Sequence, residues 1–372
     1  MQVLPLRALA HPMWKSAETA LGRPLADTIS IDLGASVLAL GQYLSMIAVI
    51  FVSAAIAVDR RRAEWLLFAL AGACALIGVI VLIRVSFPSG SGLPPFVPAA
   101  AIDCAALGTI IAAAAIIRAI ERYETRRSRL TLLLPTFIAS SVALVICILA
   151  LLRGGTHQAV IAAACGCAAL VWIKMIRRFA PSGLSFAFVT VLILIAAIGL
   201  TIYRPVERGK TLLLAFATSS SVTTAASERM LADAPLVGTG AGTFAALLPL
   251  YRETIDDSQT GPVDGTTAAA TLAIELGAPM FWLIVTAAVA FIVFFFRASL
   301  RRGRDSYYPA MGVGCLVTLL LLAFNNGGLL EPATSLIAAV AVGLALAQSK
   351  SRTVDIDSAM RTFESSRPRQ LI

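Results

Sequence analysis

Residues 34–58 read GASVLALGQYLSMIAVIFVSAAIAV, and Asp59-Arg60-Arg61-Arg62 follows them directly. These 25 residues include no charged side chain. A helix needs about 20 mostly apolar residues to cross the hydrocarbon core of a membrane. The run is therefore typical of a transmembrane helix that ends in an arginine cluster at the membrane surface.

The composition of the whole chain agrees with this interpretation. Of the 372 residues, 58% are hydrophobic and 14% are charged, and the mean hydropathy is +0.86. Soluble domains carry about 25% charged residues, so a disordered chain, a coiled coil and a soluble Rossmann enzyme are excluded. We predict an all-α polytopic membrane protein with about nine transmembrane helices and one large outer loop. The predicted spans are 34–58, 65–83, 99–117, 130–152, 158–173, 184–203, 276–296, 306–325 and 333–348.

Lys and Arg residues set the predicted orientation of these spans. With the N-terminus outside, every short inside segment holds at least three of them, and each short outside segment holds at most one, Arg84 or Arg153. We therefore interpret the net charge of +9 as a topology signal and as contact with anionic membrane lipid, not as a nucleic-acid surface. The chain divides into an outer segment 1–33, a six-helix region 34–203, an outer loop 204–275, a three-helix region 276–348 and an inner tail 349–372.

The outer segment 1–33 contains Arg7, Lys15 and Arg23 and no apolar signal-peptide region. It resembles a loop between two helices, so we expect either that the native start lies upstream of residue 1 or that the gene is a remnant. The alternative is an amphipathic segment that lies on the outer membrane surface.

Six cysteines fall within apolar runs, which favours their interpretation as small buried hydrophobic residues. Cys165-Gly166-Cys167 resembles half of a metal site. No second cysteine pair and no histidine cluster accompanies it in the sequence, so we predict no metal site. The six residues are Cys74, Cys104, Cys147, Cys165, Cys167 and Cys315.

The outer loop carries four arginines of interest, Arg204, Arg208, Arg229 and Arg252. Guanidinium groups bind phosphate and pyrophosphate bidentately and keep their charge, so these residues favour a cationic outer vestibule. Contact with lipid headgroups or a surface salt bridge is the alternative for each of them.

Four further polar residues lie near the predicted outer boundary. Arg153 and His157 flank a Gly-Gly turn after the fourth span. His157 is either a general base or a water-facing capping residue. Arg153 is either a contact for a ligand or a cation that extends to the membrane surface. Asp103 in the third span and Glu275 at the start of the seventh are either functional acids or hydrated interfacial ones.

Gly238-Thr239-Gly240-Ala241-Gly242 has the spacing of a dinucleotide-binding turn. No clear strand precedes it, so we interpret it as a tight turn at the end of an amphipathic helix.

Two pieces of the outer loop carry a family resemblance. Residues 233–244 match the pattern D-x-P-L-x-G-x-G-x-G-x-F, and Leu272–Gly277 matches L-x-x-E-x-G. Arg229-Met230 ahead of the first piece and Glu331-Pro332-Ala333 before the last span add to the pattern. In these motifs the chain resembles the O-antigen ligase and polysaccharide polymerase family.

The resemblance implies a multi-pass protein of the bacterial inner membrane with a large periplasmic loop. It implies transfer of a glycan from a polyprenyl-diphosphate carrier to a sugar acceptor, alongside other polysaccharide-assembly proteins and without a metal or other cofactor. Arginines bind the diphosphate in such chemistry, and a histidine assists the acceptor hydroxyl. The candidate diphosphate contacts here are Arg153, Arg204, Arg208, Arg229 and Arg252, with His157 as the candidate base.

The chain also departs from the family pattern. Thr266-Thr267 stands where the family has His-Asn, and the Arg and Trp that open the loop helix fall near Ser220 and Thr224. Two hypotheses follow: an active transferase in which His157 and another arginine substitute, or an inactive member that acts as a scaffold or partner. A transporter is disfavoured, because no inverted repeat and no broken helix with paired ion ligands is visible.

Overall fold

The computed structural model describes residues 13–22, 28–87, 97–124, 130–179, 213–214, 217, 221–252, 266–301 and 306–365. Within these ranges the protein is helical and contains no strand, which confirms the predicted all-α class. The helices are α1 Met13–Leu21, α2 Leu33–Ile56, α3 Arg60–Ser86, α4 Ala99–Glu124, α5 Leu130–Gly154, α6 His157–Phe179, α7 Ser221–Asp233, α8 Phe244–Tyr251, α9 Ala268–Leu276, α10 Ala278–Arg301, α11 Tyr307–Ala323 and α12 Pro332–Ser365, with a 3-10 turn at Gly328–Leu330.

Seven of the described helices are long and apolar enough to cross a membrane, namely α2 to α6, α10 and the first part of α12. The apolar helix α11 is shorter, with 17 residues. Every predicted span except 184–203 coincides with one of these eight helices, which confirms the polytopic membrane fold. The span 184–203 lies outside the described residues and stays a prediction.

One end of the bundle, which we call the basic end, gathers most of the described Lys and Arg residues of the membrane helices. Glu64 of α3 is paired there with two arginines of α4: Arg118, at 2.5 Å between Nη2 and Oε2, and Arg122. The side chain of Gln348 in α12 donates to the carbonyl of Ala57, directly after α2, at 2.6 Å. The predicted inside cations therefore do meet at one end, although its orientation in a membrane stays a prediction.

The opposite end, which we call the loop end, is joined by neutral hydrogen bonds. Asn325, two residues after the end of α11, donates to Thr156 Oγ1 ahead of α6 at 3.3 Å. Gln42 in the first turns of α2 donates to the carbonyl of Leu330 at 3.0 Å. The short helices α7, α8 and α9 belong to this end, since Ala268 N at the start of α9 donates to Asn326 O.

Helix α4 is the centre of the bundle, and 78% of its membrane-suited stretch is buried. The corresponding fractions are 6% for α2 and 11% for α10, whose large apolar side chains face outward. Lipid chains are as apolar as these side chains, so membrane helices associate mainly through close packing of small residues. Helix α4 suits this role because five of its alanines are completely buried, Ala105, Ala106, Ala112, Ala114 and Ala115.

Helices α6 and α11 approach so closely that their backbones nearly touch. A Cβ atom on Gly166 would lie 2.8 Å from the carbonyl oxygen of Gly314 and 2.7 Å from Cδ1 of Ile110. Thr318 of α11 donates to the carbonyl of Ala162 in α6 at 3.1 Å beside this contact. Glycine is required at position 166 because any side chain there would separate the two helices.

All six cysteines have free thiols. Four of them are buried as the sequence predicts, and Cys165 and Cys167 are partly buried on α6. Cys74 and Cys147 lie on either side of Gly108 in α4, where a Cβ atom would be 2.6 Å from Cys74 Cβ and 2.7 Å from Cys147 Sγ. The thiols fill narrow space between α3, α4 and α5, as small hydrophobic side chains do.

We expect that Gly166→Ala lowers the thermal stability of the purified protein in detergent, because the added methyl group overpacks the α6–α11 contact at a cost of about 1–3 kcal/mol. Gly72→Ala in α3 is the matched control, since nothing lies within 4 Å of its Cβ position. Removing a helical glycine there should leave the melting temperature unchanged or raise it. Equal melting temperatures for the two variants would contradict the packing account.

Candidate functional site

The glycine segment Gly238–Gly242 follows α7 and precedes α8. Gly238, Gly240 and Gly242 have φ angles of +81°, +116° and +78°. Residues with a side chain rarely adopt such positive angles. No strand precedes the segment within the described residues. The interpretation as a turn after a helix is therefore confirmed.

One side of the glycine segment is bonded to the end of α9. Thr239 N donates to the carbonyl of Ile274 at 3.0 Å, and Gly240 N donates to the carbonyl of Glu275 at 3.1 Å. A Cβ atom on Gly238 would lie 2.6 Å from Gly277 N and would also collide with the carbonyl of Glu275. The two sequence pieces that carry the family resemblance are thus in direct backbone contact.

The other side of the glycine segment is bonded to the start of α2. Ile31 N donates to the carbonyl of Thr239 at 3.0 Å, and the hydroxyl of Ser36 donates to the carbonyl of Ala241 at 2.9 Å. A second buried hydroxyl, Ser30 Oγ, lies 2.6 Å from Ser36 Oγ. The segment therefore joins the loop helices to the first membrane helix.

Glu275 occupies the N-terminus of α8. Its side chain is buried, and Oε1 accepts from Phe244 N at 3.2 Å, while Gly242 N is its other backbone donor. Burial raises the pKa of the Glu275 carboxyl, and the two backbone hydrogen bonds oppose that rise. The partial positive charge of the helix N-terminus favours a carboxylate at this place. Glu275, which the sequence marked as a boundary acid, therefore caps a loop helix.

A second polar centre surrounds Asp103 in α4, and we call it the Asp103 centre. Asn326 Nδ2 donates to Asp103 Oδ1 at 3.0 Å, and Asn326 Oδ1 accepts from Gly328 N at 2.9 Å. Asp103 is fully buried, and its Oδ2 accepts no hydrogen bond from any described residue. A Cβ atom on Gly328 would lie 2.6 Å from that oxygen, so the turn after α11 packs directly on the carboxyl.

The Asp103 centre touches the first residues of α9. Asn326 O accepts from Ala268 N at 2.8 Å. Thr267 accepts from Ala270 N at 3.1 Å as the N-cap of α9, and its hydroxyl also donates to the carbonyl of Leu213 at 2.7 Å. Helix α9 thus begins at the Asp103 centre and ends at the glycine segment.

The predicted cations fall into separate groups. Arg229 lies exposed on α7, and its Nη1 donates to the carbonyl of Tyr251 at 3.3 Å, one residue before the partly buried Arg252. Arg153 and His157 are both exposed at the turn from α5 to α6. Arg204 and Arg208 lie outside the described residues. The structure therefore brings Arg229 close to Arg252 and Arg153 close to His157, but no described contact joins the two pairs.

Asn325 and Asn326 are the polar residues of this end that the sequence analysis missed. They lie at and just after the end of the predicted span 306–325, whereas α11 ends at Ala323. Two adjacent amides at the end of an apolar run are a usable signal, because buried amides require hydrogen-bond partners. Their partners are Thr156 and Asp103, which are far apart in sequence.

No family model, curated protein or solved structure matches this chain. Within the part of the chain that the structure describes, no group of three or more His, Cys, Asp or Glu residues is placed to hold a metal ion.

We expect the stability conferred by Glu275 to decrease as the pH rises. Burial raises the pKa of this carboxyl in the folded protein. Its contribution to the free energy of unfolding is therefore complete below the unfolded-state pKa of about 4.3, and it is lost as the pH rises through the raised folded-state pKa. Glu275→Gln keeps an oxygen that accepts the backbone hydrogen bonds and removes the ionisation. Its melting temperature, measured from pH 4 to pH 8, should therefore fall less with pH than that of the unmodified protein.

The exposed Glu331 at the same end provides the control. Glu331→Gln should leave the slope of melting temperature against pH unchanged. The same slope for Glu275→Gln and the unmodified protein would refute the role assigned to the buried carboxyl.

Proposed function

We propose that the protein transfers a glycan from a polyprenyl-diphosphate carrier to a sugar acceptor during surface polysaccharide assembly, as an O-antigen ligase-like or polymerase-like enzyme. The loop end would face the outside of a bacterial inner membrane, with the N-terminus outside and the C-terminus in the cytoplasm. The observation that supports the proposal best is the contact between residues 233–244 and 272–277. The two motif pieces that resemble the family contact each other through two kinds of hydrogen bond. Gly240 N donates to the carbonyl of Glu275, and the side chain of Glu275 accepts from Phe244 N at the start of α8.

The arginines of the loop end would supply the positive charge that a diphosphate leaving group needs. Arg229 and Arg252 lie together at the α7–α8 pair, and Arg153 lies at the α5–α6 turn with His157 four residues later. Guanidinium groups stabilise charge that develops on a departing diphosphate without a proton transfer. His157 would take the proton of the acceptor hydroxyl as a general base.

Asp103 is not placed for direct contact with substrate, because its carboxyl is fully buried. It orders the turn after α11 through Asn326, and that turn contacts the start of α9. In the proposed function, Asp103 therefore positions α9 and the contact between the end of α9 and the glycine segment Gly238–Gly242.

A catalytically inactive scaffold is the second candidate, and one observation favours it. Thr266 and Thr267 stand where the family pattern has His-Asn, and Thr267 is used as a helix cap. A scaffold would require the folded loop end and its surface but no individual arginine. Loss of polymer on deletion of the gene, combined with harmless alanine substitutions at Arg153, Arg229 and Arg252, would favour this candidate.

We expect Arg153→Ala to abolish polymer formation in a deletion strain complemented with the variant. The measurement combines a gel profile of surface polysaccharide with mass spectrometry of lipid-linked intermediates. Single repeat units on the carrier would indicate a polymerase, and long chains retained on the carrier would indicate a ligase. Arg84→Ala is the control, because Arg84 is a cation in the last turn of α3, at the same end of the bundle. Normal polymer with Arg153→Ala would remove Arg153 from the site.

A further inference from the structure

Helix α8 of the loop end is apolar on all sides, and the hydroxyl of Tyr251 is its only polar side-chain group. One face of the helix packs on the protein, where Phe244, Leu247 and Leu248 are buried against α7 and α9. The opposite face, which we call the outer face of α8, consists of four exposed residues: Ala245, Ala246, Pro249 and Leu250.

The outer face of α8 differs from the solvent side of a helix in a soluble domain. Such a helix is polar on the side opposite to its buried stripe. With about 3.6 residues per turn, the outer face spans an arc of about 140° that holds no polar side chain. Leu250, at one edge of this arc, is 75% exposed. Water is therefore an unfavourable neighbour for this face.

The start of α8 lies beside the first membrane helix. A Cβ atom on Gly242, two residues before α8, would be 2.9 Å from the carbonyl oxygen of Ala35 and 3.4 Å from Cβ of Ala39. Ala39 is about 9 Å along the axis of α2 from its first residue, Leu33. Amphipathic helices that lie in the membrane plane are embedded by about 5–10 Å at the boundary between headgroups and acyl chains. Helix α8 thus begins at the depth where such helices lie.

The surface of α2 next to this contact is also apolar and exposed. Val37 is 50% exposed and Leu38 is 78% exposed. Helix α2 carries no charged side chain from Leu33 to Ile56. Apolar side chains on the outside of a membrane-spanning helix contact lipid chains. The outer face of α8 therefore adjoins a surface that lipid covers.

The outer face of α8 fits lipid better than a protein partner. Stable protein interfaces bury about 800 Å² on each partner and involve about 20–30 residues a side. The outer face has only four residues, and three of them are Ala or Pro. Lipid acyl chains need no such area or shape complementarity, since they cover any apolar surface at their depth.

The C-terminal end of α8 carries cations. Arg252 is its C-cap, and Arg229 of α7 donates to the carbonyl of Tyr251. Arginine side chains at the edge of an apolar surface extend their charge toward the headgroups. We propose that α8 lies in the membrane interface, with its outer face on lipid acyl chains and its C-terminal end directed toward the headgroups. This arrangement depends on the membrane fold and not on glycan transfer.

Spin labelling of the full-length protein in phospholipid vesicles tests the proposal. A nitroxide on Leu250→Cys is compared with one on Ala232→Cys, an exposed position of α7 beside Arg229 and Asp233. Oxygen, which concentrates among acyl chains, and a water-soluble nickel chelate are the two collision reagents. We expect the ratio of oxygen collisions to nickel collisions to be several-fold higher at position 250 than at position 232. The signal of the labelled parent protein, which has six cysteines of its own, is subtracted.

A ratio at position 250 as low as that at position 232 would overturn the proposal, because the outer face would then contact water. Protection of the label at position 250 from both reagents would also overturn it, since a second copy of the chain would then cover the face. If Leu250→Cys does not fold, Ala246→Cys places the label on the same face and has the same expected ratio.

Discussion

The loop end depends on the burial of the Gly238–Gly242 backbone between α2 and the end of α9. Buried amide and carbonyl groups require partners, and at the boundary of a membrane those partners must come largely from the protein. Here Ile274 and Glu275 accept hydrogen bonds from two amides of the segment, and Ile31 and Ser36 donate to two of its carbonyls. Only glycine tolerates both the positive φ angles and the close approach, so this short segment determines how the loop helices attach to the bundle.

The two ends of the bundle join their helices through different kinds of contact. At the basic end the carboxylate of Glu64 pairs with two arginines of α4, Arg118 and Arg122. At the loop end Asp103 accepts from the amide of Asn326, and Glu275 accepts from backbone N–H groups at the start of α8. Arg153 and Arg229 lie exposed at that end, and the buried acids Asp103 and Glu275 hold the turns and short helices behind them.

The membrane fold was predictable because its signals are local. Each span is an apolar run, and Arg60–Arg62 and similar clusters mark the ends of the helices. The glycine turn was predictable from its composition. The contacts of the loop end were not, since Asn326 meets Asp103 across 223 positions of sequence, and no pattern in one chain specifies that pairing. The role of Glu275 was missed for the same reason: its donor Phe244 begins a helix 31 residues away.

The central claim is that the loop end carries out glycan transfer from a lipid diphosphate. Its most direct test uses the purified protein in phospholipid vesicles with a polyprenyl-diphosphate-linked glycan and a sugar acceptor, and it follows the release of polyprenyl diphosphate by mass spectrometry. The account predicts release that requires both the protein and the acceptor. An intact, folded protein that binds the donor and releases none of the carrier diphosphate would contradict the enzymatic claim.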